Sequence, residues 1–243
     1  MNTARKDVHN SDIQAICRAC EARHKGVCGA LTPEQLTKLN RFTKQHSYQS
    51  GHELLSAGED VHRYSNILRG VVKLSKLLAD GRQQIVGLQF APDFMGRPFR
   101  EQSNVIADAA TDVRVCSFPK AVLEELVRES PQLEHRLHEQ TLDELDEARE
   151  WMLTLGRKTA AEKVANFLYM IATHVEPGAS EDEELTFDLP LTRADIADFL
   201  GLTIETVSRQ LTKLRKDGVI RIVNNRHITV PDIDRLAWRA QID

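Results

Sequence analysis

From about Tyr48 to Phe118 the apolar residues fall in short β-rich runs that glycine turns separate. Short runs bounded by turn residues are typical of strands. Asp80-Gly81 stands between two of the apolar runs, which is a strong hairpin signal. The segment therefore predicts a small antiparallel β-roll or barrel.

Several stretches outside this segment have helix signals. Thr32 and Pro33 predict the N-cap and first residue of a short helix, and Pro131 opens a long one. Gly156 is expected to interrupt that helix, and Thr159-Ala160-Ala161-Glu162 has the form of a capping box that starts the next. Such a break followed by a restart predicts a hinge between two domains.

A narrow stripe runs along the long helix at steps of three and four residues, with glutamate and arginine filling the other positions. A stripe this narrow is typical of a coiled-coil seam and predicts pairing with a second copy, hence a homodimer. The alternative is an amphipathic helix that packs on its own domain. The stripe consists of Leu137, Thr141, Leu145, Ala148, Met152 and Leu155.

The C-terminal stretch "LTRADIADFLGLTIETVSRQLTKLRKDG" predicts two helices joined by a tight turn at Gly201, the first capped by Thr192 and the second spanning about 204–216. This is a helix-turn-helix pattern. On the second helix the apolar residues share one face and are expected to be buried: Ile204, Val207, Leu211 and Leu214. The polar residues are expected to face outward: Glu205, Ser208, Arg209, Thr212 and Lys213.

The outward side chains suit base recognition in the major groove of double-stranded DNA. Arginine can donate two hydrogen bonds to guanine, glutamate can accept one from cytosine, and serine can bond to several bases. The alternative is an ordinary surface ion pair between Glu205 and Arg209. The full set of candidate DNA contacts is Thr203, Glu205, Thr206, Ser208, Arg209 and Lys213.

After Gly218 the segment "VIRIVNNRHITV" alternates, turns at Asn224-Asn225 and alternates again, which predicts a hairpin wing beside the two helices. Residues 200–230 carry six Lys and Arg against two acids, although the whole chain has a net charge of −4. This local excess favours contacts with DNA phosphates. The acidic stretch from 176 to 184 is predicted to be a solvated loop.

Three of the four cysteines crowd into "CRACEARHKGVC", and the fourth lies far downstream in "VRVCSFP", a predicted strand end. We expect a cytoplasmic protein, because there is no signal-like or membrane-spanning apolar run. A reducing compartment makes a disulfide less favoured than a zinc site or an iron–sulfur cluster, although all three fit the spacing. His24 is a candidate substitute ligand, and the thiols are Cys17, Cys20, Cys28 and Cys116.

The order of roll, long helix and winged helix-turn-helix resembles the CRP/FNR superfamily of bacterial transcription regulators over nearly the whole chain. The resemblance implies an α+β fold with an N-terminal antiparallel β-roll of the cyclic-nucleotide-binding type, a dimerisation helix and a C-terminal winged helix-turn-helix. The corresponding predicted regions are a cysteine-bearing segment at 1–30, the roll at 31–120, the dimerisation helix at 121–157 and the DNA-binding domain at 158–243.

The helix-turn-helix is similar to that of the FNR branch, in which the E-x-x-S-R pattern reads a TTGAT-type half-site of the inverted repeat TTGAT-N4-ATCAA. Here that pattern is Glu205, Ser208 and Arg209. The resemblance further implies contact with RNA polymerase and activation or repression of promoters in response to oxygen. No catalytic motif of the G-x-S-x-G, P-loop or H-E-x-x-H type is present, so we do not expect an enzyme.

In FNR proteins three N-terminal cysteines and one distant cysteine hold an oxygen-labile [4Fe–4S] cluster, and the four cysteines match that arrangement. A regulator of the same family with a structural zinc site or another effector is the alternative. Two departures stand out: seven residues separate Cys20 from Cys28, more than in the best-known members, and Ala148 replaces an acidic residue that keeps cluster-free members monomeric.

Other branches of the superfamily bind cAMP in the roll through a Gly-Glu pair and an Arg-Ser or Arg-Thr pair. The corresponding stretch "FAPDFMGRPFREQSNVIADAATDVRV" has no Arg-Ser or Arg-Thr before "NVIADAAT". We therefore expect no cyclic nucleotide, although Arg97 and Arg100 lie in this stretch.

Overall fold

The computed structural model describes residues 17, 20, 23, 26–175 and 184–242, and His24 and most of the acidic stretch lie outside them. The chain divides into two compact units. One comprises residues up to 76 together with 88–144, and the other comprises 77–87 and 145 onward. The predicted α+β class is confirmed, because the first unit is built on strands and the second mainly on helices.

Eight strands form the roll and make two four-stranded sheets. The strand orders are β1-β8-β3-β6 and β2-β7-β4-β5. The pairs β1–β8, β3–β8, β3–β6, β2–β7 and β4–β7 are antiparallel. The predicted hairpin at Asp80-Gly81 is confirmed between β4 and β5, with Gly81 in the left-handed region at φ +85°. The strands are β1 Lys44–Tyr48, β2 Glu53–Leu55, β3 Arg63–Arg69, β4 Val71–Leu77, β5 Gln83–Phe90, β6 Phe94–Met95, β7 Ile106–Ala109 and β8 Val113–Pro119.

The two faces of β3 enter different parts of the core, as the two-residue period of a strand requires. Ile67 packs between the sheets in a cluster with Val72 and Val115. Tyr64 packs in a second apolar cluster with Phe118 and with the residues that precede the roll. This second cluster includes Val27 and carries Cys17 and Cys28 at its edge. The N-terminal segment is therefore attached to the roll by apolar burial.

The predicted short helix is α1, Pro33–Asn40. Thr32 caps it as expected: its hydroxyl accepts from the Gln35 backbone N–H, and the Gln35 side chain accepts from the Thr32 N–H. This reciprocal capping box satisfies two of the backbone donors that an α-helix leaves open at its N-terminus.

Two further helices follow the roll, where the sequence predicted one dimerisation helix at 121–157. They are α2 Lys120–Glu129 and α3 Pro131–Arg157, so the long helix begins where the proline predicted. The expectation that Gly156 interrupts this helix is wrong, because Gly156 lies inside it. One glycine costs a helix only about 1 kcal/mol relative to alanine, which a helix of this length tolerates. The break comes after Arg157, where Thr159 caps the next helix.

The second unit contains the predicted winged helix-turn-helix. Its helices are α4 Ala160–Val175, α5 Arg193–Leu200, α6 Ile204–Lys216 and α7 Ile233–Ala240, and its antiparallel sheet has the order β10-β11-β9. These strands are β9 Leu185–Asp188, β10 Arg221–Val223 and β11 His227–Val230. The sequence interpretation missed β9 and α7. Among the described residues, no helix has the length and apolarity that crossing a membrane requires.

Candidate functional site

Cys116 is held in the middle of β8. The sequence suggested a strand end, but Cys116 pairs with Gln45 of β1 on one side and with Asn66 of β3 on the other. The difference arises because β8 continues to Pro119, three residues further. A residue paired on both sides has a fixed backbone, so the position of this thiol is set by the sheet.

Cys28 lies in a short 3-10 helix, Val27–Ala30, directly before the capped helix α1. Val27 is fully buried in the apolar cluster beside the roll, which fixes the turn against the sheet. The side-chain amide of Asn66 donates a hydrogen bond to the Cys28 sulfur, with 3.2 Å between Nδ2 and Sγ. Because Asn66 is the cross-strand partner of Cys116, this bond brings two of the four cysteines to one place.

Cys17 and Cys20 lie one turn apart, with the Cys20 N–H donating to the Cys17 carbonyl at 3.4 Å. Both interact electrostatically with Cys28 and with Cys116, so the structure brings the four thiols into one neighbourhood. All four are free cysteines and partly buried.

Burial has the largest effect on the pKa values of Cys28 and Cys116. It raises the pKa of Cys28 to about 12, with the neighbouring Cys116 adding to the rise and the Asn66 hydrogen bond opposing it. Burial also raises the pKa of Cys116 to about 12, and Cys17 and Cys20 add to it. Burial raises the pKa of Cys17 as well, whereas Arg23 lowers it. Burial therefore favours the protonated thiol at Cys17, Cys28 and Cys116.

The four cysteine side chains are chemically suited to bind a metal ion or an iron–sulfur cluster. Four cysteine sulfurs are the usual ligands of an iron–sulfur cluster and one of the ligand sets of structural zinc. In geometry the described residues contain no group of three or more His, Cys, Asp or Glu side chains arranged to hold a metal ion. The thiols therefore lie in one neighbourhood without standing at ligating positions.

The roll also encloses a cavity of about 580 Å³. Its lining has mixed charge: Arg63 and Arg97 face it, and so do the carboxylates Glu59 and Asp60. Asp60 accepts a hydrogen bond from the Gln102 side chain at 3.0 Å. The expectation that no cyclic nucleotide binds here stays a prediction, because it rests on the missing Arg-Ser or Arg-Thr pair.

The helix-turn-helix is built as the sequence predicts. Thr192 caps α5 through a capping box with Asp195, and Gly201 ends it in the left-handed region at φ +60°. Thr203 then caps α6 by accepting from the Thr206 N–H at 3.3 Å. Thr203 thus has a structural role at the start of α6, besides being a candidate DNA contact. We call α6, the second helix of the helix-turn-helix, the recognition helix.

The predicted faces of α6 are confirmed except at one residue. Val207, Leu211 and Leu214 are buried, and the five polar residues that were expected to face outward are exposed. The burial expected for Ile204 is wrong, since it is 47% exposed. Ile204 is the first residue of the helix, and its side chain points back beyond the helix end, where there is no preceding turn to pack on.

Glu205 and Arg209 do not form the surface ion pair that was the alternative interpretation, judged over the ion pairs of the described residues. The Arg209 guanidinium donates to the Thr206 hydroxyl at 3.4 Å instead. The backbone N–H of Glu205 and the Thr203 hydroxyl hold the pKa of the Glu205 carboxyl below its usual value. These hydrogen bonds favour the ionised carboxylate and hold it at the start of α6.

The predicted wing is confirmed. Asn224 and Asn225 both have positive φ, 50° and 57°, which is the backbone that a tight hairpin turn requires. The Arg193 guanidinium donates to the Asn225 carbonyl at 2.9 Å and so ties the turn to α5.

The local positive charge is distributed unevenly. Arg221 of the wing is paired with Glu184, and the Arg226 guanidinium donates to the Leu189 carbonyl. The recognition helix keeps four exposed cations with no ion pair among the described residues. They are Arg209, Lys213, Arg215 and Lys216.

The stripe on α3 is open to solvent over its central part. Leu145 is 43% and Met152 73% exposed, Ala148 is also exposed, and Leu137 and Leu155 are partly buried. Leu142 and Leu153 are exposed too and widen the apolar surface beyond the predicted stripe. Such a row of large apolar side chains on one helix marks an interaction surface.

Two family models match the chain. Residues 45–130 match the cyclic nucleotide-binding domain and residues 162–238 match the Crp-like helix-turn-helix domain. A probable transcriptional activator of Rhizobium leguminosarum bv. viciae is 56% identical over 236 residues, covering 97% of this chain and 98% of its own length. The transcriptional activator protein FnrL of Cereibacter sphaeroides is 42% identical over 229 residues, covering 93% and 92%.

A solved structure, FixK2 from Bradyrhizobium japonicum, superposes with a TM-score of 0.72 at 33% sequence identity, covering 80% of this chain and 95% of that one. The two domain matches, the full-length relatives and this shared fold agree with the winged helix-turn-helix and the roll described above. The chain therefore belongs to the CRP/FNR family of DNA-binding transcription regulators.

Proposed function

We propose that this regulator responds to oxygen through a [4Fe–4S] cluster held by Cys17, Cys20, Cys28 and Cys116. In this proposal two copies pair along α3, and the two α6 helices bind a TTGAT-type inverted repeat in double-stranded DNA. The dimer then activates or represses promoters in the cytoplasm by contacting RNA polymerase.

The observation that carries the proposal is the meeting of the four thiols beside the roll. Two cysteines close in sequence could share a turn in any fold, but Cys116 lies in β8, far along the chain. Asn66, the cross-strand partner of Cys116, donates to the Cys28 sulfur. Cys17 packs against the same apolar cluster as Cys28, and the Cys20 N–H donates to the Cys17 carbonyl. When bound, the cluster supplies a redox-active group that oxygen destroys.

The thiols and the long helix lie close together in the chain's own packing. The apolar cluster that carries Cys17 and Cys28 at its edge also contains Leu133, and Leu137 packs against it. Both leucines belong to the first turns of α3. A change in the cysteine-bearing segment therefore reaches the start of the proposed dimer helix through direct apolar contacts.

For DNA binding, the support is the exposed polar face of α6 and its unpaired cations. Arg209 and Glu205 lie in the N-terminal half of this helix, the part that meets base edges in the major groove. Arg215 and Lys216 lie at its C-terminal end, where cations suit the phosphate backbone.

The energy that such a switch requires is modest. A change of about 1.4 kcal/mol in the balance between two states alters their ratio tenfold, and a shift from 1:99 to 99:1 takes about 5.5 kcal/mol. Burying one exposed leucine or methionine side chain contributes about 1.5–3 kcal/mol, so burial of a few such side chains covers this range.

The first experiment is to purify the protein without oxygen, assay iron and sulfide, and follow its visible absorption and DNA binding during exposure to air. We expect about four irons per chain, a visible band that bleaches in air and specific DNA binding that falls with it. A colourless protein that holds one zinc, or no metal, would overturn the oxygen-sensing part. Tight DNA binding unaffected by air would overturn it equally.

A further inference from the structure

Asn66 is a buried polar residue on a strand face that otherwise enters the core. It is 2% exposed, and Tyr64, two residues before it on the same face, is fully buried in the apolar cluster. Burying an amide is unfavourable unless its hydrogen bonds are satisfied. An amide at such a buried position is therefore expected to have a structural or functional role that offsets the cost of its burial.

The Asn66 backbone is fixed on both sides. It pairs with Cys116 of β8 and with Phe94 of β6, so β3 is an inner strand at this point. The amide nitrogen donates to the Cys28 sulfur, whereas its oxygen Oδ1 is buried without a hydrogen-bond partner among the described residues. Only the Nδ2 atom of this side chain therefore has a hydrogen-bond partner, and that partner is the Cys28 sulfur.

We propose that Asn66 is a positioning residue of the thiolate site, holding the Cys28 sulfur beside Cys116 by an N–H···S hydrogen bond that tunes the bound cluster. This inference rests on the proposed function. A ligating thiolate carries no proton, so the amide must be the donor in this bond. An N–H bond to a ligand sulfur stabilises the more negative, reduced form of a cluster and raises its reduction potential.

The test replaces Asn66 with leucine, which has a similar volume and no donor. The matched control is Ser65→Ala, since Ser65 is also buried on β3 but its hydroxyl pairs with the Ser117 hydroxyl at 2.6 Å. Both variants and the wild type are loaded without oxygen and titrated with dithionite in the presence of redox mediators. Their absorbance loss in air is then timed.

We expect Asn66→Leu to raise the ratio of oxidised to reduced cluster about tenfold at a given potential, which is a midpoint about 59 mV lower for one electron. Its cluster should bleach several-fold faster in air, because the Cys28 sulfur is more electron-rich and less firmly held. Ser65→Ala should match the wild type in both measurements. A role confined to packing would leave the midpoint of Asn66→Leu unchanged.

Circular dichroism of the metal-free proteins checks the fold. If Asn66→Leu does not fold, Asn66→Ala removes the donor without adding a charge and is expected to shift the midpoint in the same direction. A loaded variant with the wild-type midpoint and bleaching rate would overturn this inference alone. A wild-type protein that takes up no iron and sulfide would overturn the proposed function and this inference with it.

Discussion

The rings of Trp151 and Phe199 pack with their centroids 4.4 Å apart and their planes tilted by 56°. Trp151 lies in the last turns of α3 and Phe199 in α5, the first helix of the helix-turn-helix. Phe167 of α4 meets the same phenylalanine edge-on at 6.0 Å. Tilted and edge-on pairs are the favoured geometries of aromatic rings, so Phe199 is the centre of an aromatic cluster beneath the DNA-binding helices.

Replacing Phe199 with alanine is therefore expected to cost about 3–5 kcal/mol of folding free energy, because Phe199 is buried and the cavity would remain partly open. Denaturant unfolding followed by circular dichroism measures this cost. The control is Trp238→Ala, at a residue that is 68% exposed, with an expected cost below about 1 kcal/mol. Equal costs would contradict the central place of Phe199.

Arg209→Ala is expected to weaken binding to the inverted repeat by about 1–3 kcal/mol and to relax the preference at one base pair. The reason is that the Arg209 guanidinium is exposed on α6 with only a weak bond to Thr206. Binding is measured on the repeat and on its single-base variants.

The comparison variant is Lys216→Ala at the end of the same helix. It should weaken binding to all sequences alike and reduce the salt slope by about one. If Arg209→Ala also lost affinity uniformly, Arg209 would be a phosphate contact and not a base reader.

Met152→Glu is expected to shift the protein towards monomer, since it places a charge in the middle of the exposed apolar surface of α3. Sedimentation velocity over a range of concentrations measures the self-association. Val223→Glu makes the same exchange at an exposed apolar residue of the wing and should leave the dimer intact. Dimers of equal strength in both variants would place the dimer surface elsewhere.

Ala148 is expected to let the metal-free protein dimerise, because it places a small uncharged side chain on the proposed dimer stripe of α3. Ala148→Asp should weaken self-association of the metal-free protein by about tenfold or more, since two like charges would meet across the dimer axis. Ala148→Ser, which adds a polar but uncharged group, should behave like the wild type. A metal-free wild type that is wholly monomeric would refute this expectation.

Cys116→Ala is expected to abolish oxygen-dependent DNA binding and to leave the fold intact. The backbone of Cys116 is paired on both sides within the sheet, so the strand does not depend on its thiol. Iron content, circular dichroism and DNA binding with and without air are measured together. Oxygen-sensitive binding that survives in this variant would remove Cys116 from the ligand set.

Much of the fold could be predicted because local chemistry decides it. Thr32 and Thr192 cap helices as predicted, because a side-chain hydroxyl can accept from a backbone N–H of the first turn. The turn predicted at Asn224-Asn225 is also present, because asparagine tolerates a positive φ. The recognition helix was predicted to its ends for the same reason, because its apolar period and its cap coincide.

Each wrong or missing prediction concerns a residue whose structure depends on neighbours that a short stretch of sequence does not show. Gly156 is a weak helix breaker, and only the surrounding helix decides whether its small cost matters. Ile204 has the right period but stands at a helix end, and β9 is too short to be recognised without its partner β11. Asn66 gave no signal in the sequence, because its meaning depends on Cys28 and Cys116 arriving beside it through the fold.

The interior position of Cys116 in β8 has a consequence for recovery after damage. Cys116, one of the four proposed ligands, and Asn66 opposite it are part of a sheet whose strands are held by their own backbone hydrogen bonds. In the proposed function, a lost cluster therefore leaves the Cys116 side of the site folded. Reloading then needs iron, sulfide and the return of the three N-terminal thiols to the sheet, and no refolding of the roll.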